Sequence, residues 1–513
     1  MIRRVVARNT AIISAGLAAD KVAGVVKIVL VASIFGLSRD LDAMLAALAL
    51  PAAAIIIGSE CLSTAALNII VRHRALGRER DAWRVVSALT NVTGLATVAA
   101  TALYVIAARQ VTTVVAPGLD GATFARAVLL TRVLAPLVLA QFALGIAQGV
   151  LHAHGRFVLP AARLAVANAV AVIVLALLHA RFGITAYALG LLAGDGVAVI
   201  AHLPALRRVG WRWHATLGFA CPEVRRALAF SAPMLGGAIM LQVMMILEKT
   251  FASSLPAGSI SCLDYGIRLL ALLYVSERAL TNALFPHLAQ SFADNSLAGF
   301  RHLVAAGVRA HLLIALPVTV GALLLREPLI RLLLQRGAFD ARATAMTSWV
   351  AALYLLGLLS FSLRHYMAQV YHAMGDSRTP MLTAAASLGL YVVAARLLLP
   401  ALGVGALALA LSLATTANAA LMMAALARTA HGVSWRPLAP FAAKAVTASV
   451  AVAGLLWVGR GWAAACEGGW GTLLLLGAAA SGAAVYACVL VCLRTEEALA
   501  IGRVGRGLLR REH

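Results

Sequence analysis

The chain has 513 residues, 62% hydrophobic and 12% charged, with a mean hydropathy of +0.91. Soluble globular proteins carry roughly 25% charged residues, so a soluble enzyme or binding domain is excluded and a polytopic α-helical membrane protein is indicated. The net charge of +23 does not mark a nucleic-acid binder, because its arginines stand in short clusters between apolar spans, as positive residues do on the cytoplasmic side of a membrane.

Apolar runs long enough to cross a hydrocarbon core of ~30 Å predict about fourteen helices, taken here in chain order. The first, 10–35, follows Arg3, Arg4 and Arg8 and holds Asp20, Lys21 and Lys27 inside it, so no cleavable signal is expected. The second, 41–71, carries Asp42 and Glu60 and runs into a cluster of Arg72, Arg74, Arg78, Arg80 and Arg84. Asp40 and Asp42 also make a DxD, but acids are favoured at a helix start by its dipole, which explains Asp40 better than metal binding does. Helices over 84–108, 123–153, 157–180 and 184–205 follow, closed by Arg207, Arg208, Arg212, Arg225 and Arg226. The seventh, 227–254, contains Glu248 and Lys249, and the eighth, 258–290, contains Asp264 and Arg268. After 302–325 comes a basic, leucine-rich segment at 326–342, expected to form a short helix lying on the membrane surface. Helices 343–374, 380–399, 403–428, 439–459 and 471–493 complete the set, before a tail bearing Arg503, Arg506, Arg510 and Arg511. With an even helix count, the arginine clusters place both termini in the cytoplasm.

Two stretches 220 residues apart repeat each other without a gap: Val150-Leu-His-Ala-His-Gly-Arg-Phe-Val-Leu-Pro160 and Val370-Tyr-His-Ala-Met-Gly-Asp-Ser-Arg-Thr-Pro380. Gly155 and Gly375 end one helix, and Pro160 and Pro380 sit just inside the next, where a missing N–H is harmless. Six crossings return a chain to its starting side, so this is a parallel repeat of two six-helix lobes around a central cavity. The expected organisation is 1–226, 227–430, and 431–513 for the last two helices and the basic tail.

Ionisable groups are costly in mid-membrane and normally face a polar cavity or a partner. Here they gather in helices 1, 2, 7 and 8, the pseudo-equivalent pairs of the two lobes. Of 43 basic residues only Lys21, Lys27, Lys249 and Lys444 are lysine, and three of these lie in the charged helices. An ammonium suits phosphate oxygens as a point charge; the plainer reading is internal ion pairs, Lys21 with Asp20 or Asp42 and Lys249 with Glu248. His152 and His372, at equivalent helix ends, read as interfacial polar residues. The six cysteines form no CxxC pair and indicate neither a zinc site nor a disulfide framework. No Gly-rich loop runs into Lys-Ser/Thr, and no loop has room for a soluble catalytic domain. The chain therefore reads as a transporter and not an enzyme, without metal or other cofactor, driven by membrane potential or an ion. Glu248 and Asp264 are candidate proton sites.

Several motifs then resemble the MurJ (MviN) lipid II flippases of the multidrug/oligosaccharidyl-lipid/polysaccharide exporter superfamily. They are Phe35-Gly36, Asp42-Ala43, Leu50-Pro51 and Glu60; Ala116-Pro117-Gly118; Gly258-Ser-Ile-Ser-Cys-Leu-Asp-Tyr-Gly-Ile-Arg-Leu269; Phe285-Pro286; Arg336-Gly-Ala-Phe339; and Gly375-Asp-Ser-Arg-Thr-Pro380. The resemblance runs from about residue 10 to about 430, with the same fourteen-helix count. It implies a flippase of the bacterial inner membrane that moves an undecaprenyl-pyrophosphate-linked sugar–peptide precursor of peptidoglycan between leaflets by alternating access, a step of cell-wall biogenesis. It also implies that Lys21, Lys27 and Arg268 contact the pyrophosphate, with Asp42 and Glu60 holding or gating those cations; Glu248, Lys249 and Asp264, read from the charged helices alone, are further candidates for gating or coupling. The chain departs from the family where it has Ile55 and Ile56 in place of a helix 2 arginine, Ala271 in place of a helix 8 acid, and lysine for arginine in helix 1. Those changes admit another lipid-linked saccharide as cargo. A drug or cation antiporter of the same superfamily would instead want an acidic, aromatic-lined cavity.

Overall fold

A computed structural model describes residues 2–216, 221–429, 433–465 and 469–492. Every regular element among them is a helix. The first half runs α1 (Ile2–Phe35), α2 (Arg39–Ala75), α3 (Glu79–Ile106), α4 (Ala108–Val115), α5 (Gly121–Leu134), α6 (Pro136–Ala153), α7 (Val158–Phe182) and α8 (Ile184–Arg208). The second runs α9 (Pro222–Ser253), α10 (Ser259–Leu273), α11 (Val275–Ala293), α12 (Leu297–Leu334), α13 (Ala341–Leu355), α14 (Leu358–Ala373), α15 (Arg378–Leu402) and α16 (Val404–Ala427), followed by α17 (Leu438–Ala465) and α18 (Gly469–Cys492). Among the described residues eight helical segments are long and apolar enough to cross a membrane, or ten when two bent pairs each count as one span.

Three expected helices are broken. The fourth divides at Ala135, where Pro136 opens α6 without an N–H to donate. The eighth bends by 49° between α10 and α11, and the tenth by 44° between α13 and α14 at Gly357. The short surface helix expected over 326–342 is not a separate element: α12 continues through Pro317 and Pro328 to Leu334.

The repeat is carried by backbone geometry as well as by sequence. Helices α2, α5, α7 and α8 start at residues 39, 121, 158 and 184, and α10, α13, α15 and α16 each start 220 residues later. Asp120 caps α5 by accepting from the Thr123 N–H, and Asp340 caps α13 by accepting from the Ala343 N–H. Gly183 and Gly403 share one conformation, φ +54° with ψ −133° and −132°, open in practice only to glycine. In the second copy of the turn Asp376 takes the N–H groups of Arg378 and Thr379 and the Thr379 hydroxyl. Partial burial works against its charge, but the Thr379 and Arg378 donors and the Arg378 guanidinium hold the carboxyl below the usual range.

Two compact units emerge, Met1–Ser261 with Arg336–Phe339, and Cys262–Gln335 with Asp340–His513. In the first, α1 packs on α7, α2 on α6 and α9, and α7 on α8. Small residues set these crossings, as expected where lipid supplies no hydrophobic drive between helices. A Cβ on Gly16 would lie 2.6 Å from the Ala161 carbonyl oxygen, on Gly149 2.3 Å from that of Ser63, and on Gly194 2.4 Å from that of Ala167. In the second unit α11, α12, α14 and α16 enclose Phe300, Tyr366, Tyr371 and Met422, while α17 and α18 pack on α12 through Leu325, Val452, Leu456 and Tyr486. The compact units do not coincide with the repeat halves, since α9 and residues 336–339 join the first unit.

That placement reflects a reciprocal docking. The loop after α4 sits on the end of α9: the Gly118 N–H donates to Ser253 Oγ at 3.0 Å, and the Thr250 hydroxyl donates to the Val115 carbonyl at 3.0 Å. The equivalent loop after α12 sits on the end of α1, with the Ala338 N–H donating to the Ser33 carbonyl at 2.8 Å. Ser33 and Ser253 are themselves 220 residues apart. Gly337, at φ +56°, would place a Cβ 2.3 Å from the Ser33 carbonyl oxygen, whereas Gly155, at φ +67°, has nothing within 4 Å. Gly337→Ala should therefore destabilise by about 2–4 kcal/mol, combining backbone strain with overpacking, and Gly155→Ala by only about 1–2 kcal/mol of backbone strain. Thermal unfolding of the detergent-solubilised protein checks the ranking; equal losses would show that the docking contributes nothing.

Candidate functional site

Close approach of α1 to α7 brings the charged face of α1 against a polar ladder. Lys27 Nζ donates to Asn168 Oδ1 at 2.7 Å, and Asn168 Nδ2 donates to Asp20 Oδ1 at 2.9 Å. One neutral amide thus joins a cation and an anion seven residues apart on α1. Asp20 also has Lys21 at 3.9 Å, but that lysine is 55% exposed, so the pair is loose. Behind Asn168 lies a second, more deeply buried layer from α7 itself and two further helices. Arg163 of α7 donates to Gln141 Oε1 of α6 at 2.9 Å, and Gln141 Nε2 donates to Asp195 Oδ2 of α8 at 2.6 Å. Asp195 feels the charges of Arg163 and Lys27, and Arg163 those of Asp195 and Asp20. The layers form one electrostatic network that holds Lys27 in place and leaves Lys21 reaching outward.

Asp42 does something other than meet those lysines. It is buried, and its carboxylate accepts from the Gly258 N–H (2.6 Å), the Ser261 N–H (2.7 Å) and the Ser261 hydroxyl (2.6 Å). It caps the positive end of α10, where backbone N–H groups otherwise lack partners. Just before it, Asp40 pairs with Arg126 and Arg39 with Asp120, tying the start of α2 to α5. The DxD acids therefore diverge and frame no metal. Among the described residues no group of three or more His, Cys, Asp or Glu could hold a metal ion.

Lys249 donates to the Leu45 carbonyl of α2 at 2.9 Å, beside buried Glu248 on α9. Nearby, Pro51 has no N–H for the Ala47 carbonyl, which takes a long 3.4 Å hydrogen bond from the Tyr104 hydroxyl instead. Glu60 lies on α2, but its side chain falls outside the described residues, as do those of Ile55 and Ile56. In the second unit Arg268 Nε donates to Asp264 Oδ2 at 2.5 Å one helical turn away, with Arg268 34% exposed. The exposed Ala271 stands one turn further along α10. The structure thus brings together Asp20, Lys21 and Lys27, and separately Asp264 and Arg268; it gives Asp42 and Lys249 backbone partners.

The profile of the family described as Lipid II flippase MurJ matches residues 31–477. The chain belongs to the MurJ family. A Lipid II flippase MurJ from Burkholderia cenocepacia is 27% identical over 416 residues, covering 79% of this chain and 80% of that one. A probable lipid II flippase MurJ from Rhizobium meliloti is 30% identical over 276 residues, covering 54% and 51%. Among solved structures, a lipid II flippase MurJ in an inward closed conformation superposes with a TM-score of 0.79 at 20% identity, over 94% of this chain and 98% of that one. An inward-facing multidrug resistance MATE transporter gives 0.63 at 13% identity, over 78% and 92%. At these identities the structural likenesses speak for the fold.

Within this MurJ-family chain, sequence reasoning missed Gln141, Arg163, Asn168 and Asp195. Asp195 carried a usable signal, being the single acid within the apolar α8. Asn168 carried little, since a neutral amide stands out only once α1 is seen against α7. Glu277, an acid inside the expected eighth helix, was also left aside.

Proposed function

We propose that this chain carries a lipid II-like precursor, an undecaprenyl-pyrophosphate-linked saccharide, from the inner to the outer leaflet of the bacterial inner membrane by alternating access. The observation that carries the reading is the MurJ family match over most of the chain, alongside basic residues held in place inside apolar helices. Lys21 and Lys27 on α1 and Arg268 on α10 are the proposed pyrophosphate contacts. Asn168 and Asp20 fix Lys27, and Asp264 steadies Arg268, so both cations are held in place for charge-assisted hydrogen bonds to phosphate oxygens. Glu60, Glu248, Lys249 and Asp264 are assigned to gating or coupling, and Asp42 to gating through the start of α10.

Taking α5–α6, α10–α11 and α13–α14 each as one crossing, and α4 as none, gives fourteen spans with both termini in the cytoplasm. Two six-helix repeat halves and two added helices make up that count. The transfer changes no covalent bond and is driven by membrane potential or an ion gradient. One charge moved across 100 mV is worth ~2.3 kcal/mol, enough to bias a two-state equilibrium well over tenfold.

The test reconstitutes the full chain in vesicles with a fluorescent lipid II placed in one leaflet, and follows its accessibility to a membrane-impermeant quencher. Potential-dependent appearance in the other leaflet is expected. Transfer of a different lipid-linked saccharide but not lipid II would reassign the cargo. Export of organic cations with no lipid transfer would overturn the reading in favour of a drug antiporter.

A further inference from the structure

Deep in the second unit, on the helix that follows the one carrying Arg268, lies a cluster built around one glutamate. Glu277 sits in the first turn of α11, directly after the 49° bend at Tyr274. No proline or glycine lies between Gly266 and Pro286, so that bend lacks the usual local cause. Opposite it, Ser362 lies on α14 just beyond the second bend, at Gly357, and its hydroxyl donates to Glu277 Oε2 at 2.5 Å. The third member, His311, comes from α12. Its Nδ1 is 2.7 Å from the Gly307 carbonyl, its Nε2 is 2.9 Å from Thr281 Oγ1 and 3.9 Å from Glu277 Oε2, and its ring lies on Tyr366 at 4.8 Å between centroids. Glu277, Thr281, His311, Ser362 and Tyr366 are all at most 1% exposed, and Glu277 Oε1 has no hydrogen-bond partner.

Other ionisable groups adjoin the pair: Tyr274 feels the charge of Glu277, and His365 feels that of His311. Tyr274 and Arg278 of α11 and Arg364 and His365 of α14 act on one another, with Tyr274 packed edge-on against His365. On the Glu277 side, α12 presents His311 and α14 presents Ser362 and Tyr366. His311 Nδ1 faces a carbonyl and so carries a hydrogen. The nitrogen that can gain or lose a proton is therefore Nε2, the one facing Thr281 and Glu277. With Nε2 bare, it accepts from the Thr281 hydroxyl and the proton sits on Glu277, since a carboxylate there would have a single donor in an apolar interior, a costly arrangement. With Nε2 protonated, imidazolium and carboxylate form an ion pair. Either form keeps one proton within the pair; losing it strands a charge that the packing cannot satisfy.

We infer that Glu277 and His311 together hold one exchangeable proton, and that its departure shifts the α10–α11 and α13–α14 bends which Glu277 and Ser362 tie together. The proton leaves to water and returns from water, so the step needs no other reactant. The site is defined without reference to cargo; its role as the coupling site rests on the flippase reading above.

The proton site is tested first on the purified full-length protein, without cargo. Dicyclohexylcarbodiimide attacks protonated carboxyl groups in apolar surroundings, and peptide mass spectrometry should place its label on Glu277 at neutral pH, with labelling falling several-fold at alkaline pH. Infrared difference spectra between the two pH values should show a titrating carboxyl or imidazolium signal that is absent in Glu277→Gln and displaced in Glu277→Asp. A Glu277 that is neither labelled nor titrates in the wild-type chain overturns the proposal, whatever the variants do. The second arm uses vesicles with the potential clamped by potassium and valinomycin. A pH gradient should change the rate of lipid II transfer several-fold in the wild type and leave Glu277→Gln unaffected. Transfer that follows a sodium gradient and ignores pH overturns the coupling role. If the wild type moves no lipid II under any gradient, the cargo assignment fails, while the labelling and spectra still decide the proton site.

Discussion

Asp42→Ala should leave the start of α10 without its cap and lower stability by about 2–5 kcal/mol, since each buried donor left unpaired costs about 1–3 kcal/mol. Three donors, the Gly258 and Ser261 N–H groups and the Ser261 hydroxyl, converge on that one carboxylate within 2.7 Å. Removing it leaves two backbone N–H groups buried and unpaired. Asp42→Asn should rescue little, because its NH2 would face donors and only its carbonyl oxygen could accept. Ser261→Ala, which removes one of the three bonds, should cost about 1 kcal/mol. Thermal unfolding in detergent and the amount of protein in membranes report the order Asp42→Ala, Asp42→Asn, Ser261→Ala. A near-neutral Asp42→Ala would mean that α10 does not depend on this cap.

Lys27 should show the other large effect, in binding. Lys27→Ala is expected to weaken capture of a pyrophosphate lipid ten- to a hundredfold, since a charge-assisted hydrogen bond to phosphate is worth roughly 1.5–3 kcal/mol. Lys27→Arg should keep or strengthen binding, an arginine offering two parallel donors to phosphate. Asn168→Ala separates the roles: it frees Lys27 and Asp20 from each other and leaves both charges in place. A cargo-binding lysine predicts that Asn168→Ala is milder than Lys27→Ala; a merely structural lysine predicts that the two fail alike, through loss of folded protein. Full transport by Lys27→Ala at normal abundance would remove it from the site.

The helical membrane class and the repeat were legible because both rest on local signals. Apolar runs report the span of a bilayer, and glycines that must adopt positive φ, such as Gly155 and Gly375, hold fixed positions in the register. The charged helices were legible too, since an acid or lysine in an apolar run stands out wherever it points. Partners were not. Nothing in the spacing of Asp42 shows that it faces the backbone of residue 258 and not Lys21, because that choice is made by how α2 meets a segment some 216 residues away. The layer of Gln141, Arg163 and Asp195 likewise exists only where α6, α7 and α8 converge. The bend at Tyr274 has no proline or glycine to announce it, so one long apolar run could be read only as one straight helix.

The reciprocal seating of the loops at 116–119 and 336–339 bears on how such a chain could have arisen. A solitary ancestral copy of the repeat would have carried this loop with no second helix end to receive it. Two copies could satisfy each other only by exchange, each lending its loop to its sister, which is the arrangement of a swapped homodimer. Fusion of the genes would then have made a mutual dependence permanent, and the halves of the modern protein, cut at 226, would each lack a piece that the other supplies.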